Sequence, residues 1–371
     1  MDADGSALTH DDLGERLAGW FATQLPDATD VAVEGLEQIE VGHSAETLLL
    51  TIVHDGERDD VVVRVRPPEP GLLEPYDLGR QFTILQALEP TAVRAPRARW
   101  YEPTGSVLGR ESYVMERLPG VVYERGVPDD VAGDAARVQK MCEGIVDQIA
   151  AIHSVDLTTT GLDAIADGHD HVDRELNHWS GEIERVKRAP LPALELLVAA
   201  LREQQPPANP TVTLVHGDLK PGNVAFVGDE VTAVFDWELA TVGDPRVDLG
   251  WAEANWTMPG YITSVPGAPG PDELVARWAA STGLTAEHRS WYRSLALLKM
   301  NVILLVGAAL FDQGHSDDLR FAQMAYAIEP LTQAALREIG IDDAPEAGPV
   351  RPRKERVQQV KARVAGDQTT P

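Results

Sequence analysis

The segment Val215–Asn223, with the sequence Val-His-Gly-Asp-Leu-Lys-Pro-Gly-Asn, constrains this chain more than any other. Two short apolar runs follow it, separated by Gly228 and Asp229, and such a pair between apolar runs is typical of a β-hairpin turn. A hairpin brings its two ends together. We therefore expect Asn223, which enters the first strand, and Asp236, which leaves the second, at the same end of one ribbon.

The polar residues around this predicted hairpin are those that phosphoryl transfer requires. That reaction needs a carboxylate to hold and deprotonate the attacking hydroxyl, and oxygen ligands to fix magnesium on the nucleotide phosphates. Asp218 supplies the carboxylate, and Asn223 and Asp236 supply the oxygen ligands. Each residue alone also fits ordinary turn chemistry. Their combination at this spacing favours a phosphoryl-transfer centre.

The same residues resemble the motif of the kinase-like small-molecule phosphotransferases, the superfamily of the aminoglycoside phosphotransferases and choline kinases. Its catalytic loop has the form H-G-D-x-x-x-x-N, and a metal-binding aspartate follows a short hairpin. The resemblance implies that Asp218 is the catalytic base and that Lys220 reaches the transferring phosphate. It also implies Mg²⁺ and ATP as cofactors, with Asn223, Asp236 and, as a further carboxylate, Glu238 around the metal.

Two features near the loop favour a small-molecule kinase over a protein kinase. Gly217 stands where protein kinases usually carry an arginine that pairs with a phosphorylated activation loop. Only a dozen residues separate Asp236 from Asp248, which leaves no room for a long activation loop. By resemblance, Asp248 hydrogen-bonds the catalytic loop from a helix start, and His153 packs beneath the loop. His216 directly precedes the turn and is expected to brace the loop backbone, since Asp218 already fills the role of base.

The first part of the chain matches the family less completely. By resemblance, the loop containing Gly42 and Ser44 covers the nucleotide phosphates, although a plain hairpin turn accounts for the same residues. Arg64 occupies the place of the family's phosphate-binding strand lysine, and arginine can hold a phosphate bidentately. A solvent-facing strand arginine is the alternative interpretation of Arg64.

The remaining nucleotide contacts follow from the same resemblance. Gln81 stands where the family has a helix glutamate that orients the strand cation, and the backbone of Glu116 and Leu118 is expected to meet the adenine edge. Glutamine lacks the charge of glutamate. This departure keeps open a second hypothesis, a nucleotide-binding regulatory module with little or no turnover.

The phosphate acceptor is expected to be a hydroxyl of a small molecule. Trp251, Glu253, Asn255 and Trp256 follow the catalytic loop on the side where the superfamily holds its acceptor. An acidic and aromatic wall there could receive a cationic amine or a sugar. The sequence does not select one acceptor, nor an oligomeric state.

The pattern of apolar residues predicts a helix and strands followed by long helices. Together with the resemblance, this implies an α+β fold of two lobes, similar to that of protein kinases. A leading helix, a small antiparallel sheet and one further helix form the first lobe, residues 1–118. Long helices form the catalytic and substrate lobe, residues 119–343, and a tail poor in apolar residues, 344–371, is expected to be disordered. The predicted helices of the second lobe include 131–153, 171–187, 191–204, 246–255, 271–281, 287–311 and 317–339.

Composition restricts the partners and the compartment. The chain has 371 residues, 43% of them apolar, with 59 acidic against 32 basic residues and a net charge of -27. So acidic a surface repels nucleic acid and is typical of a halophilic cytosol, although an acidic mesophilic enzyme is the alternative. The start of the chain lacks an apolar signal segment, the longest apolar stretch is short and charged, and Cys142 is the only cysteine. We therefore expect a cytoplasmic protein without a membrane span or disulfide.

Overall fold

The computed structural model describes residues 10–39, 46–124, 126–166, 170–346, 348, 350 and 352–367. Its strands, in chain order, are β1 (Ala32–Ile39), β2 (Glu46–His54), β3 (Glu57–Val65), β4 (Ala98–Glu102), β5 (Ser112–Glu116), β6 (Val121–Val122), β7 (Thr213–Val215), β8 (Val224–Val227), β9 (Glu230–Val234) and β10 (Thr241–Gly243). Its α-helices are α1 (His10–Gln24), α2 (Leu78–Leu88), α3 (Asp129–Ala132), α4 (Ala135–His153), α5 (Leu157–Thr160), α6 (His171–Val186), α7 (Pro192–Glu203), α8 (Pro245–Trp256), α9 (Pro271–Thr282), α10 (Arg289–Gln313), α11 (Leu319–Met324), α12 (Ile328–Glu338) and α13 (Lys354–Asp367).

The chain divides into two compact units. The first comprises Met1–Val122 with Asn223–Ala240, and the second comprises Tyr123–Gly222 with Thr241–Pro371. The sequence-based division differs, because it places the hairpin after Asn223 in the helical lobe. In the structure, β8 of that hairpin pairs with β6, Val121 lying opposite Phe226, and the hairpin therefore belongs to the first unit.

Among the described residues, the main sheet of the first unit has five antiparallel strands in the order β1-β2-β3-β5-β4. Alternate residues of β2, β3 and β5 point to one face, where Leu17 and Phe21 of α1 are fully buried against them. The predicted leading helix and its apolar stripe are confirmed. The strand residues of this core are Leu48, Leu50, Ile52, Val61, Val63, Val65 and Val114.

The predicted hairpin is also confirmed. Val224 lies opposite Val234 across β8 and β9. One step further, the Phe235 amide donates to the Asn223 carbonyl at 2.8 Å. Asn223 and Asp236 therefore flank the same end of the ribbon, as the spacing of the two apolar runs indicates.

Helix α10 forms the centre of the second unit, where it packs against α6, α7, α8, α11 and α12. Within the described part of the chain, it is the one helix whose length and apolar composition would suffice to cross a membrane, and most of it is buried inside the protein. The sequence predicts a core helix here. Beside the helices, β7 and β10 form a short antiparallel ribbon, and β7 ends at Val215, directly before the catalytic loop.

Two predicted helices are interrupted in the structure. The first breaks before Asp134, whose side chain accepts hydrogen bonds from the amides of Ala136 and Arg137 at 3.1 Å and so starts α4 as a new helix. The second breaks at a 3₁₀ turn between α11 and α12. Pro330 lies in the first turn of α12, where a residue without an N–H group is tolerated.

The segment expected to be a disordered tail contains helix α13. Val360 is fully buried, and Arg356 Nε donates to the Phe311 carbonyl at 3.1 Å. Arg356 and Arg363 also form ion pairs with Asp317. The sequence pattern missed this helix because arginines, rather than a regular apolar stripe, provide most of these contacts.

Helices α8 and α10 approach each other closely at Gly250. A Cβ atom at this position would lie 2.6 Å from the backbone carbonyl of Tyr292, far inside van der Waals contact. Backbone cannot move aside as a flexible side chain can, so this position requires glycine. The close approach fixes α8 on the central helix.

We predict that Gly250→Ala lowers the free energy of unfolding by about 1 to 3 kcal/mol through overpacking. Gly181→Ala is the matched control, because Gly181 lies exposed in α6 and a Cβ atom there meets nothing within 4 Å. The control should stabilise the protein by about 0.5 to 1 kcal/mol. Urea unfolding followed by circular dichroism measures both, and equal effects would contradict the close approach at Gly250.

Candidate active site

The predicted catalytic loop, residues 216–223, begins where β7 ends, and a buried carboxylate holds its backbone. Asp248 Oδ2 accepts from the His216 amide and Oδ1 accepts from the Gly217 amide, both at 2.7 Å. Gly217 has a φ of +81°, in the left-handed region that favours glycine. The expected contact between Asp248 and the loop is therefore present, and the turn explains the glycine in the motif.

Asp248 is in turn held by His153, which ends α4. His153 Nε2 lies 3.2 Å from Asp248 Oδ2, and its Nδ1 accepts from the Trp278 indole N–H at 2.9 Å. An indole nitrogen can only donate, so Nδ1 is unprotonated and Nε2 carries the proton that it donates to Asp248. Burial alone would raise the pKa of the Asp248 carboxyl. The hydrogen bond from His153 and the nearby His216 outweigh burial and hold that pKa below its ordinary value.

Asp218 itself is positioned by both its backbone and its side chain. Its amide donates to His216 Nδ1 at 3.2 Å, so His216 braces the loop backbone. The Lys220 ammonium donates to Asp218 Oδ2 at 2.9 Å. The mostly buried Asp218 carboxylate therefore carries a mobile cation at its side. Tyr261 lies close by, and burial, together with Glu124, raises the pKa of its hydroxyl.

In the first unit, Asp236 and Glu238 both face the guanidinium of Arg64. Arg64 Nη1 lies 3.3 Å from Asp236 Oδ1, and Nη2 lies 3.7 Å from Glu238 Oε2. Burial would lower the pKa of Arg64, but the charges of Asp236 and its neighbours raise it. The alternative of a solvent-facing arginine is wrong, since the Arg64 side chain is only 13% exposed.

The backbone of Asp236 is unusual. Its φ of +61° and ψ of +61° place it in the left-handed region, which costs energy for a residue with a Cβ atom. Such strain commonly accompanies function. The carboxylate is 36% exposed, more than its neighbour Glu238 at 6%, and it is the more accessible of the two acidic side chains.

Gln81 does not orient Arg64 as the resemblance implies. It is buried in α2, and its Oε1 accepts from the Tyr113 hydroxyl at 3.2 Å. The hydrogen bonds of Arg64 go instead to Asp236 and to Thr47. In this structure, carboxylates of the segment after the hairpin hold Arg64, and an uncharged residue in α2 is therefore compatible with a fixed guanidinium.

The other predicted nucleotide contacts are only partly described. Glu116 ends β5, where its amide donates to the Arg97 carbonyl at 3.0 Å, and Leu118 lies just beyond that strand. Gly42 and Ser44 lie outside the described residues. Within the described ranges, the structure contains no group of three or more His, Cys, Asp or Glu side chains arranged to hold a metal ion.

The donors at the hairpin end nevertheless fit magnesium. Asn223 and Asp236 contribute an amide oxygen and a carboxylate at the same end of one ribbon, and Mg²⁺ binds oxygen ligands, keeping several waters beside one or two carboxylates. A site of this kind needs no cluster of protein acids. Glu238, the further carboxylate of the prediction, has a mostly buried side chain and lies 3.7 Å from Arg64, which Asp236 contacts at 3.3 Å.

The expected acceptor wall is wrong. Glu253 is buried and forms ion pairs with Arg289 at 2.6 Å and Arg293 at 3.2 Å. Trp256 and Asn255 are also buried: the Asn255 amide donates to the Trp251 carbonyl within α8, and the Trp256 indole N–H donates to the Pro269 carbonyl before α9. These side chains stabilise the second unit. Burial, which the sequence pattern of α8 did not disclose, is the reason for the difference.

One buried residue near the loop was not assigned a role by the sequence. Lys299 in α10 is 3% exposed and donates to the carbonyl of Gly217. The signal in the sequence was a single lysine inside a largely apolar helix. Because buried lysines are rare without a partner, this signal could have been followed to the loop.

We predict that Asp248→Asn lowers the free energy of unfolding at pH 7 by about 3 kcal/mol, because an amide cannot accept from both loop amides and from His153. The folded-state pKa of Asp248 is depressed. Its contribution is therefore complete above the unfolded pKa of about 3.9 and is lost as the pH falls further. The difference between native and variant should shrink below about pH 4. Urea unfolding across a pH series measures this, and a pH-independent difference would count against it.

Proteins of known sequence resemble this chain over most of its length. Rat "Acyl-CoA dehydrogenase family member 11" is 26% identical over 290 residues, which cover 74% of this chain and 37% of that protein. Mouse "Acyl-CoA dehydrogenase family member 10" is 29% identical over 255 residues, 68% of this chain and 23% of that protein. The matched part of the chain thus spans 37% of the length of the first relative and 23% of the length of the second.

Solved structures share its fold. A Ralstonia eutropha protein provisionally named as an aminoglycoside phosphotransferase superposes with a TM-score of 0.71 at 23% identity, covering 88% of this chain and 97% of that one. A ternary complex of aminoglycoside phosphotransferase APH(4)-Ia with AMP-PNP and hygromycin B has a TM-score of 0.57 at 15% identity, covering 87% and 99%. The chain therefore has the kinase-like phosphotransferase fold that its sequence predicts.

The family itself follows from the sequence profile. Residues 35–291 match the profile described as "Phosphotransferase enzyme family", abbreviated APH. The matched range includes the catalytic loop and the hairpin, and it covers more than half of the chain. This protein belongs to the APH phosphotransferase enzyme family.

Proposed function

We propose that this protein transfers the γ-phosphoryl group of ATP to a hydroxyl of a small molecule. The observation that carries the proposal is the Asp218 carboxylate, held in a loop whose preceding amides are fixed by Asp248. Membership of the APH family supports phosphotransfer. The solved complex of a family neighbour with AMP-PNP supports ATP as the donor.

In the proposed reaction, Asp218 accepts the proton of the acceptor hydroxyl. The hydroxyl oxygen forms the new bond to the γ-phosphorus, and the bond from that phosphorus to the bridging oxygen of ATP breaks, releasing ADP. Lys220 starts 2.9 Å from Asp218, and its flexible stem allows the ammonium to follow the charge that develops on the phosphoryl oxygens. Catalysis of this kind depends on position and charge rather than on a covalent intermediate.

Asn223 and Asp236 would hold magnesium, which neutralises charge on the nucleotide phosphates when it is bound. Asp236 is suited to this task because Arg64 holds one side of its carboxylate while the group stays partly exposed. Arg64 is available for the phosphates as well, since a guanidinium presents five donors. Its buried position within the first unit pre-orients those donors.

A panel of small hydroxyl compounds identifies the molecule that accepts the phosphoryl group. Amino alcohols and sugars belong in it because the resemblance covers choline kinases and aminoglycoside phosphotransferases. Hydroxyacyl thioesters of coenzyme A also belong in it, because the relatives from rat and mouse are named for acyl-CoA chemistry. Incubation with γ-labelled ATP, magnesium and each acceptor in concentrated KCl, followed by mass spectrometry, identifies the product. Binding of Mg-ATP without any labelled product would instead favour a nucleotide-binding regulatory module.

We predict that Asp218→Asn lowers kcat at least about 100-fold, the usual contribution of a general base, while the affinity for Mg-ATP changes little. Steady-state kinetics and calorimetric titration with Mg-ATP measure the two quantities. Asp229→Asn, in the turn at the far end of the β8–β9 hairpin, is the matched control and should keep native kcat. Undiminished turnover in Asp218→Asn would remove Asp218 from the role of base.

We predict that Asp236→Asn weakens the magnesium-dependent part of ATP binding by at least about tenfold, because a neutral amide is a poorer ligand for a hard cation. ATP affinity is measured with magnesium and with EDTA, and the ratio of the two is compared with that of Asp229→Asn. An unaltered ratio would refute the assignment of Asp236 to the metal.

A further inference from the structure

A buried lysine lies beneath the catalytic loop in the second unit. Lys299, in the middle of α10, donates from Nζ to the carbonyl oxygen of Gly217. That carbonyl belongs to the peptide that joins Gly217 to Asp218. The N–H of the same peptide donates to His216 Nδ1 at 3.2 Å. Both the carbonyl oxygen and the N–H group of the Gly217–Asp218 peptide are therefore hydrogen-bonded.

The surroundings of Lys299 are built to keep a cation in place. Its Nζ lies 4.9 Å from the ring centre of Trp251 and 5.5 Å from that of Trp179, distances at which an aromatic face attracts an ammonium. Glu175 supplies the negative charge, and its Oε2 accepts from the Trp179 indole N–H at 2.9 Å. Although burial opposes it, the charge of Lys299 lowers the pKa of Glu175.

Burying the ammonium group of a lysine at this position destabilises the fold unless the group makes an interaction that an apolar side chain cannot make. An apolar side chain of similar length would fill the same space in the core without the desolvation of an ammonium. It would, however, leave the Gly217 carbonyl without this donor in a turn whose φ of +81° keeps it out of regular strand pairing. The Asp248 contacts hold only amide groups of the loop, so the carbonyl side depends on Lys299.

We propose that Lys299 is a positioning residue for catalysis, which sets the plane of the Gly217–Asp218 peptide and thereby the direction of the Asp218 carboxylate. A peptide plane determines where the next Cα–Cβ bond points. With Asp248 and His216 on the amide side and Lys299 on the carbonyl side, Asp218 has one orientation before any substrate arrives. The inference rests on the proposed function, in which Asp218 is the base.

Lys299→Met tests this inference. Methionine fills the site without charge or donor. Misplacing a reacting group by about 1 Å costs about 100-fold in rate, so kcat should fall by about that factor. The KM for Mg-ATP should stay within about twofold, since the proposed ligands Asn223, Asp236 and Arg64 lie in the first unit and Lys299 lies in the second. If Lys299 only stabilised the fold, its replacement would not lower kcat while leaving the KM for Mg-ATP unchanged. Unchanged kcat in the folded variant, or a rise in KM alone, would overturn the proposal.

Val306→Ala is the matched control. Val306 lies in the same buried helix, about two turns or 10 Å beyond Lys299, and it loses core volume without a link to the loop. It should melt at a lower temperature than the native protein and keep native kcat. Loss of kcat in this control as large as in Lys299→Met would show that general destabilisation explains the effect and would overturn the proposal.

Hydrogen exchange provides a readout that does not depend on turnover. In the peptide 213–222, the amides of the loop should exchange at least about tenfold faster in Lys299→Met than in Val306→Ala, because the loop opens locally. Equal exchange overturns the positioning role. Absence of any labelled product from the native protein refutes the proposed function instead, and the two failures are distinguished.

If Lys299→Met does not fold, Lys299→Gln takes its place. It should likewise lower kcat and speed amide exchange in the loop, and native kcat and native exchange in this variant would overturn the proposal.

Discussion

The carboxylate of Asp248 is the group on which the catalytic loop depends. It accepts hydrogen bonds from the two backbone amides that precede Asp218, those of His216 and Gly217, and a third hydrogen bond from His153 Nε2. A buried carboxylate is stable only when its oxygens are satisfied in this way. Trp278 then determines the tautomer of His153. The orientation of Asp218, the proposed base, thus depends on α4, α8 and α9 together, and the loop cannot be regarded as an independent motif.

Several buried charged side chains of this protein lie next to a side chain of opposite charge, despite the large acidic excess of the whole chain. Arg64 lies between Asp236 and Glu238 in the first unit. In the second unit, Arg289 and Arg293 neutralise Glu253, and Lys299 lies near Glu175. These buried charges are tolerated because a charge of opposite sign lies near each of them. The excess acid remains for the surface, where it affects solubility rather than fold.

Local patterns predicted much of the first unit and of the loop. The hairpin followed from Gly228-Asp229 between two apolar runs, and α1 followed from its periodic apolar face. The predictions that were wrong concern side chains whose partners are distant in sequence. Gln81 bonds to Tyr113, Glu253 bonds to α10, and α13 docks through arginines onto α10 and the segment that follows it. No local pattern specifies which distant side chain completes such a pair.

The sequence by itself determined the family of this protein and the spacing of its motif, an aspartate, an asparagine and a second aspartate on the loop and at the hairpin end. Only the tertiary structure decided which side chains hold them. Gly250 lets α8 approach α10 closely, and these two helices carry Asp248 to the Gly217 amide and Lys299 to the Gly217 carbonyl. The physical reason is that short-range spacing follows from backbone geometry, whereas pairing between distant segments depends on how the whole core packs.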